Sequence, residues 1–185
     1  MRINPKLQVG QWVHVRHHTG FIWSVIRYVL GRCWGDHDAP ILEENGELVI
    51  GDARPGGAVT TSIAEYQRRI DAGEISVRVY DIPFVSFSER HWASGWWLEN
   101  IKGSGYDYMA YPRLFLKAIF GNWFKRAAGW EWAWYCTESC RDMYIKPPQI
   151  TRVIDPLGGN NPTPRTVENR AASGDLKFVT GKLMV

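Results

Sequence analysis

One thiol in the sequence stands where nucleophilic chemistry is possible. Cys136 lies in residues 134–139, and the residues that follow it have the pattern of a helix that begins at the cysteine. The dipole and the free backbone N–H groups of a helix N-terminus favour the thiolate, which is the nucleophilic form of cysteine. The same N–H groups could bind the oxyanion of a tetrahedral intermediate. The alternative is a buried, unreactive cysteine, and residue type alone does not decide between the two.

A histidine and an aspartate lie at matching ends of two predicted strands upstream of this thiol. His37 opens the first strand, Asp52 closes the second, and an Asn-Gly pair joins them. Antiparallel pairing across so tight a turn brings the carboxylate beside the imidazole. A carboxylate there would orient the imidazole and stabilise its cation when it accepts the thiol proton. Because Asp36 and Asp38 flank the histidine, a solvated turn is the alternative interpretation.

The surrounding sequence predicts the elements that position these residues. Periodicity and turn signals indicate strands at 11–16, 39–42, 47–50 and 74–80, and helices at 21–30, 61–72, 136–144 and 164–173. This mixture predicts an α+β fold. We expect one domain over residues 1–185, with an aromatic-rich insertion at roughly 84–134 and a C-terminal tail at 147–185.

Composition excludes some classes of function. The formal net charge is +3, and no Lys/Arg cluster reaches the length of a nucleic-acid patch. No run of eighteen or more apolar residues occurs, so stable membrane insertion is not expected. The N-terminus lacks the apolar segment of a secretory signal, and we therefore expect a protein that is cytoplasmic when made.

The cysteines and histidines predict neither a disulfide framework nor a metal site. Cys33, Cys136 and Cys140 are odd in number, in a chain with no apparent secretion signal. Their spacing relative to the histidines does not match the usual paired zinc ligands. We therefore predict no metal and no cofactor.

The order of the motifs resembles the circularly permuted branch of the NlpC/P60 superfamily, which has a papain-like fold. That branch includes YiiX-like hydrolases and the lecithin retinol acyltransferase group. The matching motifs are Asp-His-Asp-Ala-Pro-Ile-Leu at 36–42, Leu-Val-Ile-Gly-Asp-Ala at 48–53, Ile-Ala-Glu-Tyr at 63–66, Gly-Tyr-Asp-Tyr at 105–108 and Tyr-Cys-Thr-Glu at 135–138. The resemblance implies a central antiparallel sheet packed against helices, with the nucleophile at a helix N-terminus. It also implies that Cys136 is the nucleophile, His37 the base and Asp52 the third member of a triad.

Three positions depart from the family's pattern. Asp36 stands where serine is usual, Pro40 lies within the base strand, and Ser139-Cys140 replaces an apolar pair. None of these departures removes a catalytic group, so we expect an active enzyme.

The resemblance implies a cysteine hydrolase that cleaves an amide bond, with a peptidoglycan peptide as the expected substrate, through a thioester intermediate. A lipid acyl hydrolase or acyltransferase of the same fold is one alternative, and a non-catalytic virion or binding module is another. Substrate contacts are expected from His18, Trp92, Trp97 and Tyr135, although burial is the ordinary role of such aromatic side chains. Without a secretion signal, a cell-wall enzyme would be virion-associated or delivered to the envelope. The oligomeric state is left open.

Overall fold

The computed structural model describes residues 2–29, 32–106, 133–134, 136–151, 154–157 and 162–184. Its strands are β1 (Trp12–His17), β2 (His37–Glu44), β3 (Glu47–Arg54), β4 (Gly57–Ser62), β5 (Ile75–Asp81), β6 (Gly105–Tyr106), β7 (Ala133–Trp134) and β8 (Lys177–Thr180). Six of them form an antiparallel sheet in the order β4-β3-β2-β1-β5-β8, and β6 pairs with β7 in parallel.

Helices cover both faces of this sheet. They are α1 (Phe21–Val29), α2 (Ile63–Asp71), α3 (Phe87–Asn100), α4 (Cys136–Ile145) and α5 (Pro164–Ala172). Ser62 caps α2, and capping boxes begin α3 at Ser86 and α5 at Thr163. Such caps satisfy backbone N–H groups that have no partner within the helix. The predicted α+β class is confirmed.

Side chains alternate between the two faces along each strand and form a core on each side. Trp12 and Leu42 belong to one apolar cluster, which also contains side chains of α3, α4 and α5. Val13 and Ile41, their neighbours in sequence, belong to the other cluster, which contains side chains of α2. His37 and Ile41 are four residues apart on β2, so their side chains lie on the same face of the sheet. His37 therefore points toward α2, at the start of β2.

The hairpin predicted from the Asn-Gly pair is present. Asn45 and Gly46 both have positive φ, 54° and 81°, as a two-residue type I′ turn requires. The register pairs Glu44 with Glu47 on either side of the turn. Pro40 is the last residue of β2 that pairs with β1, and Ile41 is the first that pairs with β3. The N–H that proline lacks is therefore missing where β2 changes its partner strand.

Some elements differ from the sequence prediction. β4 and β8 were not predicted, because one carries a Thr-rich run without clear alternation and the other has only four residues. Helix α3 lies within the predicted insertion at 84–134, yet it packs on β2 and α4 and belongs to the core. The segment 147–185 supplies α5 and a strand of the main sheet, so it is more than a tail. Within the described ranges, no helix combines the length and the apolar character needed to cross a bilayer.

Candidate active site

A buried imidazole–carboxylate pair lies where β2 begins and β3 ends. His37 Nε2 donates to Asp52 Oδ1 at 2.7 Å, and the two residues are 5% and 2% exposed. Burial raises the pKa of Asp52. The hydrogen bond and charge of His37, the Arg54 guanidinium and a hydrogen bond from Tyr66 outweigh burial and lower that pKa overall. Asp52 is therefore a carboxylate, and it fixes the imidazole with Nδ1 directed away from it.

Tyr66 on α2 makes a hydrogen bond to Asp52, and the sequence did not indicate this role. Its side chain is buried at 1% exposure. Burial and the negative charge of Asp52 raise the pKa of Tyr66 well above its ordinary value, so its hydroxyl stays protonated and donates to that carboxylate. The available signal was a hydroxyl on the otherwise apolar helix face that Tyr66 shares with Ile63.

Cys136 completes the group as the first residue of α4. Its side chain is 6% exposed. Burial lowers the pKa of His37, but electrostatic attraction to Cys136, the hydrogen bonds to Asp52 and Cys136, and the Asp52 charge together raise it well above its ordinary value. The imidazole thus lies between a thiol and a carboxylate. The structure brings the three residues predicted as a triad together.

The other two cysteines lack such surroundings. Burial, with the negative charges of Glu168 and Asp38, raises the pKa of Cys33 to about 12. Burial, with nearby negative charges, also raises the pKa of Cys140 well above its ordinary value. All three thiols are free. Cys33 and Cys140 therefore have the surroundings of inert buried cysteines. Cys136 differs from both because it has an imidazole partner.

A second buried network holds the start of α4 against the sheet. Asp38, next to His37 but pointing to the opposite face, accepts from Thr137 Oγ1 and from His14 Nδ1, each at 2.6 Å. His14 Nε2 lies 3.3 Å from Glu168 Oε1 on α5. Burial lowers the pKa of His14, but Asp38 and Glu168 together raise it to about 9. Thr137, which follows Cys136, is thereby bonded to Asp38, which follows His37.

The run 36–38 is buried and does not form a solvated turn. Asp36, His37 and Asp38 are 2%, 5% and 0% exposed. Asp36 accepts from the ring and backbone N–H of His17 and from Arg27 of α1. The side chains at the start of β2 therefore bond to several elements: Asp36 to β1 and α1, His37 to β3, and Asp38 to β1 and α4.

A cavity of ≈ 380 Å³ opens beside His37 and Asp52. One wall is His17 stacked on Trp23, with ring centroids 4.2 Å apart and an interplanar angle of 10°. Burial lowers the pKa of His17, a hydrogen bond to Asp36 opposes this, and the nearby cations His37 and Arg69 lower it further. The volume falls in the range of small-ligand sites.

The described residues that were predicted to contact substrate do not line this cavity. His18 is exposed, bonds Ser76 Oγ at 2.7 Å and does not line this cavity. Trp92 is 43% exposed on α3, and it does not line the cavity either. The prediction for Trp97 is wrong, because its side chain is fully buried in the core. Tyr135 lies outside the described residues. His17 and Trp23 occupy the wall instead.

In the part of the chain that the structure describes, no three or more His, Cys, Asp or Glu side chains gather so that they could hold a metal ion.

Comparison with known proteins supports the fold. A scan against protein-family models finds no match, and a search of curated proteins finds no relative. Among solved structures, the chain is similar to the crystal structure of the metalloprotein YiiX from Escherichia coli O157:H7, with a TM-score of 0.58 and 12% sequence identity. The match covers 97% of this chain and 88% of that chain. The chain therefore has a YiiX-like fold, and at this identity the likeness concerns the fold alone.

Proposed function

We propose that this protein is a cysteine hydrolase of the circularly permuted papain-like type, with Cys136, His37 and Asp52 as its triad. The observation that carries the proposal is the buried chain of contacts from thiol to imidazole to carboxylate at a helix N-terminus. Nucleophile, base and orienting acid are the parts that thiol-based acyl transfer requires.

The geometry supports a two-step reaction. The Cys136 thiolate attacks a carbonyl carbon, and backbone N–H groups of the first turn of α4 stabilise the resulting oxyanion. The His37 imidazolium gives its proton to the departing amine, which leaves a thioester on the sulfur. His37 then accepts a proton from water, and the hydroxide attacks the thioester. Collapse of the tetrahedral intermediate breaks the C–S bond and releases the carboxylic acid and the Cys136 thiolate, beside the imidazolium that formed when His37 took the proton from water.

As the substrate we propose an amide bond in a peptidoglycan peptide. The cavity beside the pair is large enough for a peptide side chain. The YiiX structure is described as a metalloprotein. Because the described side chains of this chain offer no three-ligand group, we assign no step to a metal ion.

Selective alkylation tests the chemistry independently of substrate. Iodoacetamide at pH 7, followed by peptide mass spectrometry, should modify Cys136 at least about tenfold faster than Cys33 or Cys140. His37→Ala should abolish this preference, and the control variant His18→Ala should retain it. Equal rates at the three cysteines, or a rate indifferent to His37→Ala, would favour a non-catalytic module.

Digestion of purified sacculi tests the substrate. The wild type should release soluble muropeptides, Cys136→Ala should release none, and the control variant Cys33→Ala should act like the wild type. Release by both the wild type and Cys136→Ala would contradict the triad. Absence of release by the wild type would contradict the peptidoglycan assignment.

A second candidate is hydrolysis of a lipid acyl bond by the same triad. The supporting observation is an exposed apolar face on α1, whose Trp23 lines the catalytic cavity. Release of fatty acid from phospholipid vesicles by the wild type and not by Cys136→Ala, without muropeptide release, would select this candidate.

A further inference from the structure

Helix α1 presents an apolar stripe to solvent. Phe21, Val25 and Tyr28 are 83%, 36% and 69% exposed. At about 100° of rotation per residue, their spacing places them within about 60° of one another on the helix surface. Large apolar side chains grouped on one exposed face commonly mark an interaction surface.

The opposite side of α1 is fixed to the sheet. Trp23 stacks on His17. Arg27 Nη1 donates to the backbone carbonyl of His17 at 2.8 Å and to Asp36. These contacts set the orientation of the helix, so the exposed stripe cannot turn inward without breaking them.

An arginine-lined cavity adjoins the stripe. It measures ≈ 530 Å³, and Tyr28 and Ser24 of α1 lie in its wall together with Arg16, Arg27 and Arg32. Within the described ranges Arg16 and Arg32 form no ion pair, and Arg16 Nε is buried without a hydrogen-bond partner.

Additional positive charge surrounds this cavity. The Arg78 guanidinium stacks over the ring of Trp34, another lining residue, with 4.1 Å between its carbon and the ring centroid. Among the described residues that line the cavity, the one carboxylate is Glu168, which is already bonded to His14 and to two backbone N–H groups. The cavity therefore complements an anion.

We propose that α1 and this cavity form a binding surface for a membrane that contains anionic phospholipid. The apolar stripe enters the boundary between head groups and acyl chains, and the arginines bind lipid phosphate. Apolar side chains beside clustered arginines are the combination by which peripheral helices bind such membranes. The proposal does not depend on catalysis, since none of these side chains belongs to the triad.

Vesicle co-sedimentation tests the surface with the full chain. Binding should be at least about tenfold stronger to phosphatidylglycerol–phosphatidylcholine vesicles than to phosphatidylcholine alone, and should weaken as salt rises. Cys136→Ala should bind like the wild type, which separates this proposal from the enzymatic one.

Matched variants locate the contact. The double variant Phe21→Ser/Tyr28→Ser should lose at least about tenfold in binding, whereas Phe178→Ser, at an aromatic on β8 that is 57% exposed, should retain it. Arg32→Ala should weaken binding to anionic vesicles, and the control Arg2→Ala should not. Circular dichroism checks that each variant is folded.

Three results would overturn the proposal: equal or absent binding to both vesicle types, equal loss in the control variants, or a dimer that Phe21→Ser/Tyr28→Ser dissociates. A dimer of that kind would show that the stripe binds a second copy of the chain.

Discussion

The carboxylate of Asp52 controls how strongly His37 holds a proton, and Asp52→Asn removes its charge at nearly constant shape. The amide oxygen of asparagine can still accept from His37 Nε2, so the ring orientation is retained. A hydrogen bond to a charged group contributes about 1.5–3 kcal/mol, and one pKa unit corresponds to about 1.4 kcal/mol. The hydrogen bond that asparagine retains is neutral and contributes about 0.5–1.5 kcal/mol, so Asp52→Asn should lower the pKa of His37 at a cost to the imidazolium of about 1–1.5 kcal/mol.

This change should appear in the reactivity of Cys136. The thiolate–imidazolium pair is in equilibrium with the neutral pair, and each unit lost from the pKa of His37 moves that equilibrium about tenfold toward the neutral form. We expect alkylation by iodoacetamide at pH 7 to slow by up to about tenfold. The assay is peptide mass spectrometry of the Cys136 peptide between pH 5 and 9.

The control is Asp142→Asn. Asp142 is buried on the same helix as the nucleophile and pairs with Arg141 and Lys146 at 3.3 Å and 2.9 Å. Its replacement removes a buried negative charge outside the triad, so the alkylation profile should stay close to that of the wild type. An unchanged profile in folded Asp52→Asn, or an equal loss in Asp142→Asn, would refute the assigned role of Asp52.

Three further changes test other parts of the structure. Tyr66→Phe removes a hydroxyl hydrogen bond to the triad carboxylate, worth about 1 kcal/mol, so alkylation of the nucleophile should slow about fivefold; an unchanged rate would contradict this contact. His14, with its pKa raised to about 9, should contribute about 3 kcal/mol of stability below pH 6.5 that is lost as pH rises through 9; urea unfolding at pH 6 and 10 should show this loss in the wild type and a smaller one in His14→Gln. Gly95→Ala places a Cβ in open space within α3 and should raise the free energy of unfolding by about 1 kcal/mol. The Cβ of Gly51→Ala would instead lie 2.7 Å from Leu42 Cδ1, which should lower the free energy of unfolding by about 1–3 kcal/mol. Thermal unfolding compares the two variants, and equal shifts would argue against close packing of Leu42 on β3.

Local signals in the sequence predicted much of the site. The Asn-Gly turn sets the register in which residues 41–44 of β2 pair with residues 47–50 of β3. The two strands continue beyond these pairs, and Asp52 and His37 meet there. The periodicity after Cys136 likewise predicted α4 and its first residue. These features depend on a few neighbouring residues, and turn chemistry and helix patterns encode such features directly.

The parts that were missed depend on contacts between distant segments. Tyr66 reaches Asp52 only because α2 packs across the sheet, and His14 meets Asp38 only through the pairing of β1 with β2. Trp97 was assigned to substrate because aromatic content does not distinguish a core side chain from an exposed one. In the structure, α3 directs that indole between the sheet and α4.

The β2–β3 hairpin also gives the site an order of assembly along the chain. His37 and Asp52 are 15 residues apart and share one hairpin, whereas Thr137, beside the nucleophile, is 99 residues from its partner Asp38. At about 5–20 residues per second of synthesis, that interval lasts about 5 to 20 s. The acid–base pair can thus fold on a nascent chain that still lacks its thiol. The proposed thiol chemistry can therefore begin only after α4 has been synthesised, and a chain truncated before α4 carries His37 and Asp52 without Cys136.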